Sequence, residues 1–243
     1  MRGFWASGLA CAAIAGGSAG SVAGDTVEIE STFSGGLYAD GHHFPGFMNY
    51  YVGYAIPSSP IERRNYFVFD LTGVTGTVVS AKLKLYNPGD PDLFEPCGYI
   101  SPDPTEDYLL TGSPFPWTAF ADAFSGAPIP PATISAMYGT LGTSMPFGVA
   151  TISGDSCGSD VVIEFDGTGV AEVNDALGDH IAMGGRLTDL LPEPGTPPAE
   201  LAFAYTDIPN DFMPMPRLEL EIVPEPGAAL LLVLGAGVAR RRR

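Results

Sequence analysis

The chain has 243 residues, with 11 Lys and Arg against 28 Asp and Glu, a formal net charge of −17. That length admits one large all-β domain or two small ones. Such an acidic balance repels a phosphate backbone and argues against nucleic-acid partners, while it favours solubility and can attract divalent cations.

In chain order, the first segment is "MRGFWASGLACAAIAGGSAGSVAG", with Arg2 as its sole charge. An apolar run from Phe4 to Ala15 follows, then small residues, with Ser21 and Ala23 at −3 and −1 of a cut after Ala23. This is the layout of a secretory signal peptide, residues 1–23, and the apolar run is shorter than the ~20 residues of a spanning helix. Between Gly24 and Val223 there remain six basic and 27 acidic residues, a net charge of −21. With Cys11 in the leader, Cys97 and Cys157 form an even pair in an exported chain, which predicts one disulfide.

The body reads as short strands. "TVEIESTF" (Thr26–Phe33) alternates, and "NYYVGYA" (Asn49–Ala55) and "RNYFVFDL" (Arg64–Leu71) are aromatic and β-branched. In "TVVSAKLKLYN" (Thr77–Asn87), Val79, Ala81, Leu83 and Leu85 are expected to face inward and Ser80, Lys82 and Lys84 outward. "VVIEF" (Val161–Phe165), "ELAFAYT" (Glu200–Thr206) and "RLELEIV" (Arg217–Val223) complete the set. One helix is predicted over Gly167–Leu177, with Val170, Val173 and Leu177 on one face and Asp166 or Thr168 as cap. Residues Asn87–Tyr108 and Gly126–Gly148 are dense in Pro and Gly and are expected to be loops, the second with room for a helical turn. Many short strands without βαβ alternation predict an all-β antiparallel sandwich, spanning residues 24–223 as one domain.

The hairpin "RNYFVFDLTGVTGTVVSAKLKLYNP" resembles that of DNRLRE-type modules, which are jelly-roll β-sandwiches with carbohydrate-binding relatives. It is also similar to a group of exported bacterial proteins that share a "SPDP.E.Y" stretch, here Ser101–Tyr108. The resemblance implies a jelly-roll-like order, and a helix followed by a strand in "VNDALGDHIAMGGRLTDL". It departs from the modules where their Trp-containing segment would stand, at Glu164–Leu177. Within the hairpin, Gly73 or Gly76 can take positive φ, and Asp70 is expected to bind turn amides.

Three constellations could carry chemistry. "GDSCG" around Ser156 has the spacing of a nucleophile elbow, but a strand pattern follows it where that motif needs a helix. For metals, Asp40, His42 and His43 sit in "YADGHHFPG", and neighbouring histidines on a strand would face opposite ways. The oxygen-rich loops at Asp90 and Asp92, and at Asp207 and Asp211, are the weak Ca²⁺ candidates, and no other cofactor is expected. For sugars, Tyr50, Tyr51 and Trp117 could form ligand-facing aromatic platforms.

The chain closes on "VPEPGAALLLVLGAGVARRRR". The 13 uncharged residues from Gly227 to Ala239 would make a helix of roughly 20 Å, marginal for a bilayer core. Pro224, Glu225 and Pro226, the apolar segment, and Arg240, Arg241, Arg242 and Arg243 together resemble the PEP-CTERM sorting tail (residues 224–243) of Gram-negative, exopolysaccharide-producing bacteria. The resemblance implies passage through the secretion translocon and a tail briefly held as a transmembrane stop. An exosortase-type membrane enzyme would then process the tail, leaving the body at the cell surface or in the biofilm matrix. Two functions are carried forward: a non-enzymatic surface or matrix protein, and a polysaccharide-binding module, assisted by Ca²⁺ where the acidic loops supply ligands.

Overall fold

The computed structural model describes residues 24–54, 61–89, 97–188, 190, 199–204 and 214–224. The expected leader, most of the expected sorting tail and all four weak Ca²⁺ candidates (Asp90, Asp92, Asp207, Asp211) lie outside the described residues.

The strands are β1 (Asp25–Glu30), β2 (Phe33–Tyr38), β3 (Val52–Tyr54), β4 (Glu62–Asp70), β5 (Thr77–Asn87), β6 (Thr105–Gly112), β7 (Pro146–Ser153), β8 (Ser159–Glu164), β9 (His180–Leu187), β10 (Glu200–Ala202) and β11 (Arg217–Val223). They form two antiparallel sheets. The first has the order β1-β11-β5-β8, and the second β10-β3-β4-β9-β6-β7, with β2 also on β4. Taken without β2 and the three-residue strands β3 and β10, eight strands are numbered in chain order. The sheets then read 1-8-3-6 and 2-7-4-5, the order of a jelly roll. The expected all-β antiparallel sandwich is what forms.

Between the sheets lie Phe67 and Phe69 of β4, Tyr108 and Leu110 of β6, and Leu83, Leu85, Leu218 and Leu220 of the first sheet, all fully buried. Each contributes about 1.5–3 kcal/mol by leaving water. A second apolar layer covers the other side of β4 and β9. There Tyr66, Val68 and Ala182 pack under α1 (Trp117–Ser125) and α2 (Pro131–Thr140) through Phe120, Ile134, Met137 and Leu141.

These two helices correct the expectation of a single helix; α3 (Gly167–Asp175) is the expected one. Proline misled the reading. Pro131 stands at the first turn of α2, where its missing N–H breaks no bond, and Pro116 caps α1 in extended conformation. Gly126 ends α1 with φ 78°. The expected loop Asn87–Tyr108 is likewise shortened, because β6 begins at Thr105.

A β-bulge corrects the inward set of β5. Glu221 of β11 pairs with Ser80 and Ile222 with Val78, so Val79 is the extra residue. Val78 is therefore buried and Val79 is 48% exposed. The Asn174 side chain of α3 completes the ladder there: its amide donates to the Val78 carbonyl and its oxygen accepts from the Val78 amide, both at 2.9 Å. As expected, Asp166 caps α3, accepting from the Thr168 and Gly169 amides at 2.8 and 2.9 Å. Cys97 and Cys157 are joined in a disulfide, with Cα atoms 5.3 Å apart and a sequence separation of 60.

Candidate functional site

The end of the first sheet gathers three sequence features. β1 and β11 run antiparallel, with Asp25 opposite Ile222. Gly24, the first residue after the predicted leader, therefore lies beside the last residues of β11, close to Glu221 and Ile222. Pro224 follows directly on Val223, which still pairs with Thr77. The expected leader junction and the start of the Pro-Glu-Pro stretch thus leave the body side by side. Glu225, Pro226 and Arg240, Arg241, Arg242 and Arg243 lie outside the described residues.

At this end a groove of about 710 Å³ opens between β1 and the turn joining β4 to β5. It exists because β1 is an edge strand: its inward Val27 and Ile29 stay half-buried instead of buried. Val74 and Ile222 continue the apolar floor, Asp25 and Asp70 are acidic lining residues, and Pro224 is part of its wall. The turn is built as the sequence predicts. Asp70 accepts from the Thr72 amide at 2.9 Å, and hydrogen bonding from Thr72 holds its carboxyl below the usual carboxylate range. Gly76 takes the positive φ, 108°. Gly73 does not, and a Cβ there would meet open space.

The three aromatic candidates do not share a surface. Tyr50 is 1% exposed; it packs on Phe67 and Phe203 in the core and donates to the Tyr86 carbonyl at 3.0 Å. Trp117, the first residue of α1, is half-buried, with its ring stacked on His180 at 4.1 Å. Tyr51 lies over the Arg63 guanidinium, 3.7 Å from ring centroid to carbon, near the other end of β4.

Sequence reasoning missed the environment of Arg63. It is 1% exposed, its Nη2 donates to the Asn49 carbonyl, and its Nε and Nη1 have no hydrogen-bond partner. Aromatic rings stand in for a carboxylate: Tyr51, with Tyr38 and Phe47 at 5.7 and 5.8 Å. Gly36 makes the room, since a Cβ there would collide with Nε. Burial pushes the Arg63 pKa down. Alternation sends its neighbour Arg64 to the opposite face. There it pairs with Glu62 at 2.8 Å and donates to the Tyr138 and Leu141 carbonyls at the end of α2. Two consecutive arginines in a strand of a body with only six cations were the available signal.

The remaining candidates are placed as follows. The Ser156 hydroxyl donates to the Ser153 carbonyl at 2.6 Å and accepts from Asn87 at 2.9 Å, in a turn followed by β8. Asp40 accepts from the His42 amide at 2.9 Å in an exposed turn, and His43 forms a bridge to Leu37. Among the described residues no three His, Cys, Asp or Glu side chains converge as a metal site. Among them, too, no helix is long and apolar enough to cross a membrane. Compared with known proteins, the chain matches no family model and no curated protein.

Proposed function

We propose that the chain is an exported, non-enzymatic protein of the cell surface or extracellular matrix, sorted through its C-terminal tail by an exosortase-type membrane enzyme. The observation that supports this best is the position of Pro224. A Pro-Glu-Pro motif followed by an apolar segment and four arginines begins where the last strand stops, with no spacer. The folded body thus ends where the address begins. The leader junction at Gly24 sits on the neighbouring strand, so both ends that meet the membrane during export leave from one end of the body. The disulfide and the charge of −21 suit an oxidising, extracytoplasmic setting.

Mass spectrometry of the exported protein tests the reading. The expected mature form starts at Gly24 and lacks Arg243. A mature form that keeps Arg243 would sink the sorting function.

A further inference from the structure

We infer that the groove between β1 and the β4–β5 turn is the seat of the tail-processing enzyme, which therefore recognises the folded body as well as the motif. This rests on the sorting reading above.

The first argument is reach. An extended residue spans about 3.3–3.6 Å, so the three residues Pro224 to Pro226 span only ~10 Å. A catalytic domain of even 100 residues has a radius of gyration of about 13 Å. An enzyme that holds this motif cannot stand clear of the body, because Val223 is still in the sheet. The surface it meets is the one to which Pro224 belongs, and Pro224 is part of the groove wall.

The second argument is chemistry. Val27 and Ile29 face inward from an edge strand, yet among the described residues nothing buries them fully. A half-covered apolar floor with carboxylates at Asp25 and Asp70 suits a partner that presents an apolar side chain flanked by basic or amide donors. The body itself has few cations to offer in that role: Arg63 and Arg64 are buried, Arg186 is half-buried and donates to the Gly142 carbonyl, and Lys82, Lys84 and Arg217 are engaged by carboxylates on the outer face of the first sheet. A second copy of this chain is correspondingly a poor occupant.

Gly73 offers a clean perturbation. It lines the groove, has no positive φ and leaves open space around a Cβ, so Gly73→Trp adds bulk at the groove without a Cβ clash. Gly139 of α2 has equally open space on a different surface, and Gly139→Trp is the control. Full-length chains are expressed in a host with a matching processing enzyme, and conversion to the trimmed form is followed by pulse-chase and mass spectrometry. Gly73→Trp is expected to slow trimming at least about tenfold, as loss of a central contact does. Asp25→Arg, at an exposed residue, is expected to slow it less, and Gly139→Trp not at all. Should Gly73→Trp misfold, Asp25→Arg carries the test. Wild-type rates for both groove variants overturn the inference. So does a Gly73→Trp that trims normally but changes oligomeric state, since the groove would then belong to a second copy. Failure of the sorting reading looks different: the wild-type chain itself keeps Arg243.

Discussion

The two sheets are built alike and stabilised differently. In the first, β5 past its bulge and β11 bury every second residue and send Lys82, Lys84, Arg217 and Glu219 outward. In the second, β4 is buried from Arg63 to Phe69, and β9 from Ile181 to Gly185. The difference is the helical layer. α1 and α2 lie on the outer face of the second sheet over β4 and β9, so those two strands are core on both sides, while β6, β7 and the first sheet meet water on one side. An antiparallel sheet of a sandwich need not alternate; what it alternates against decides.

The largest test asks whether the helical layer is core or cladding. Phe120 is fully buried against Tyr66, with ring centroids 5.1 Å apart. Phe120→Ala is expected to cost about 3–5 kcal/mol in urea unfolding followed by circular dichroism. Val162, 42% exposed on the outer face of the first sheet, gives the contrast. Val162→Thr is expected to stay within about 0.5 kcal/mol. Equal costs at the two positions would erase the distinction between the sheets.

The sheets also hold their cations differently, and this gives the next largest effect. Tyr51→Leu removes the nearest ring from Arg63, whose charge is desolvated, and is expected to cost about 2 kcal/mol. Arg63→Met keeps volume and removes the buried charge, and is expected to be neutral or stabilising in thermal melts. A loss of several kcal/mol in Arg63→Met would show that the cation itself is needed. Raising NaCl to 1 M should leave the Tyr51→Leu cost unchanged, because a buried contact is poorly screened.

What was legible follows the same division. The bounds Thr77–Asn87 and Arg217–Val223 coincide with β5 and β11, because water on one face writes a period of two into the sequence. The Asp70 turn and the Asp166 cap were legible from local hydrogen-bonding chemistry. β7 was not, since its burial is irregular around a bulge at Leu110 and Thr111. β9 was expected only from the family resemblance: Gly184 and Gly185 sit where a Cβ would strike the Asn65 and Leu109 carbonyls, so close backbone approach replaced the apolar pattern. α1 and α2 were hidden by prolines that open helices instead of ending them. Of the candidate site, the motif was readable and the groove was not: half-burial of Val27 and Ile29 depends on β1 being an edge, which only the topology reveals.

The smallest effect lies on the outer face of the first sheet, where register mixes like and opposite charges. Glu28 stands opposite Glu219 and Arg217 opposite Lys84, while Lys82 lies between Glu219 and Glu164 and pairs with the latter at 3.3 Å. Across the like-charged positions, Lys84 reaches Glu219 as well as Glu28, the latter at 2.9 Å, and Arg217 reaches Glu28 at 3.5 Å. A hydrogen bond from Lys84 holds the Glu28 carboxyl below its usual range, and donating to the Glu219 and Glu28 carboxylates pushes the Lys84 pKa up. A depressed carboxyl stabilises above its unfolded pKa and loses that contribution as pH falls through the folded value. A raised lysine stabilises below its unfolded pKa and loses that contribution as pH rises through the folded one. The network therefore contributes fully from about pH 4.5 to about pH 10 and fades outside that window. Lys84→Ala is expected to cost ~0.5–1 kcal/mol at pH 7, more than one exposed pair because three charges share one site. The cost should shrink toward zero at pH 3 and in 1 M NaCl, where Tyr51→Leu keeps its own. A Lys84→Ala cost that persists at pH 3 and in high salt would assign Lys84 to packing along its methylene stem, and the two sheets would then hold their cations by the same means.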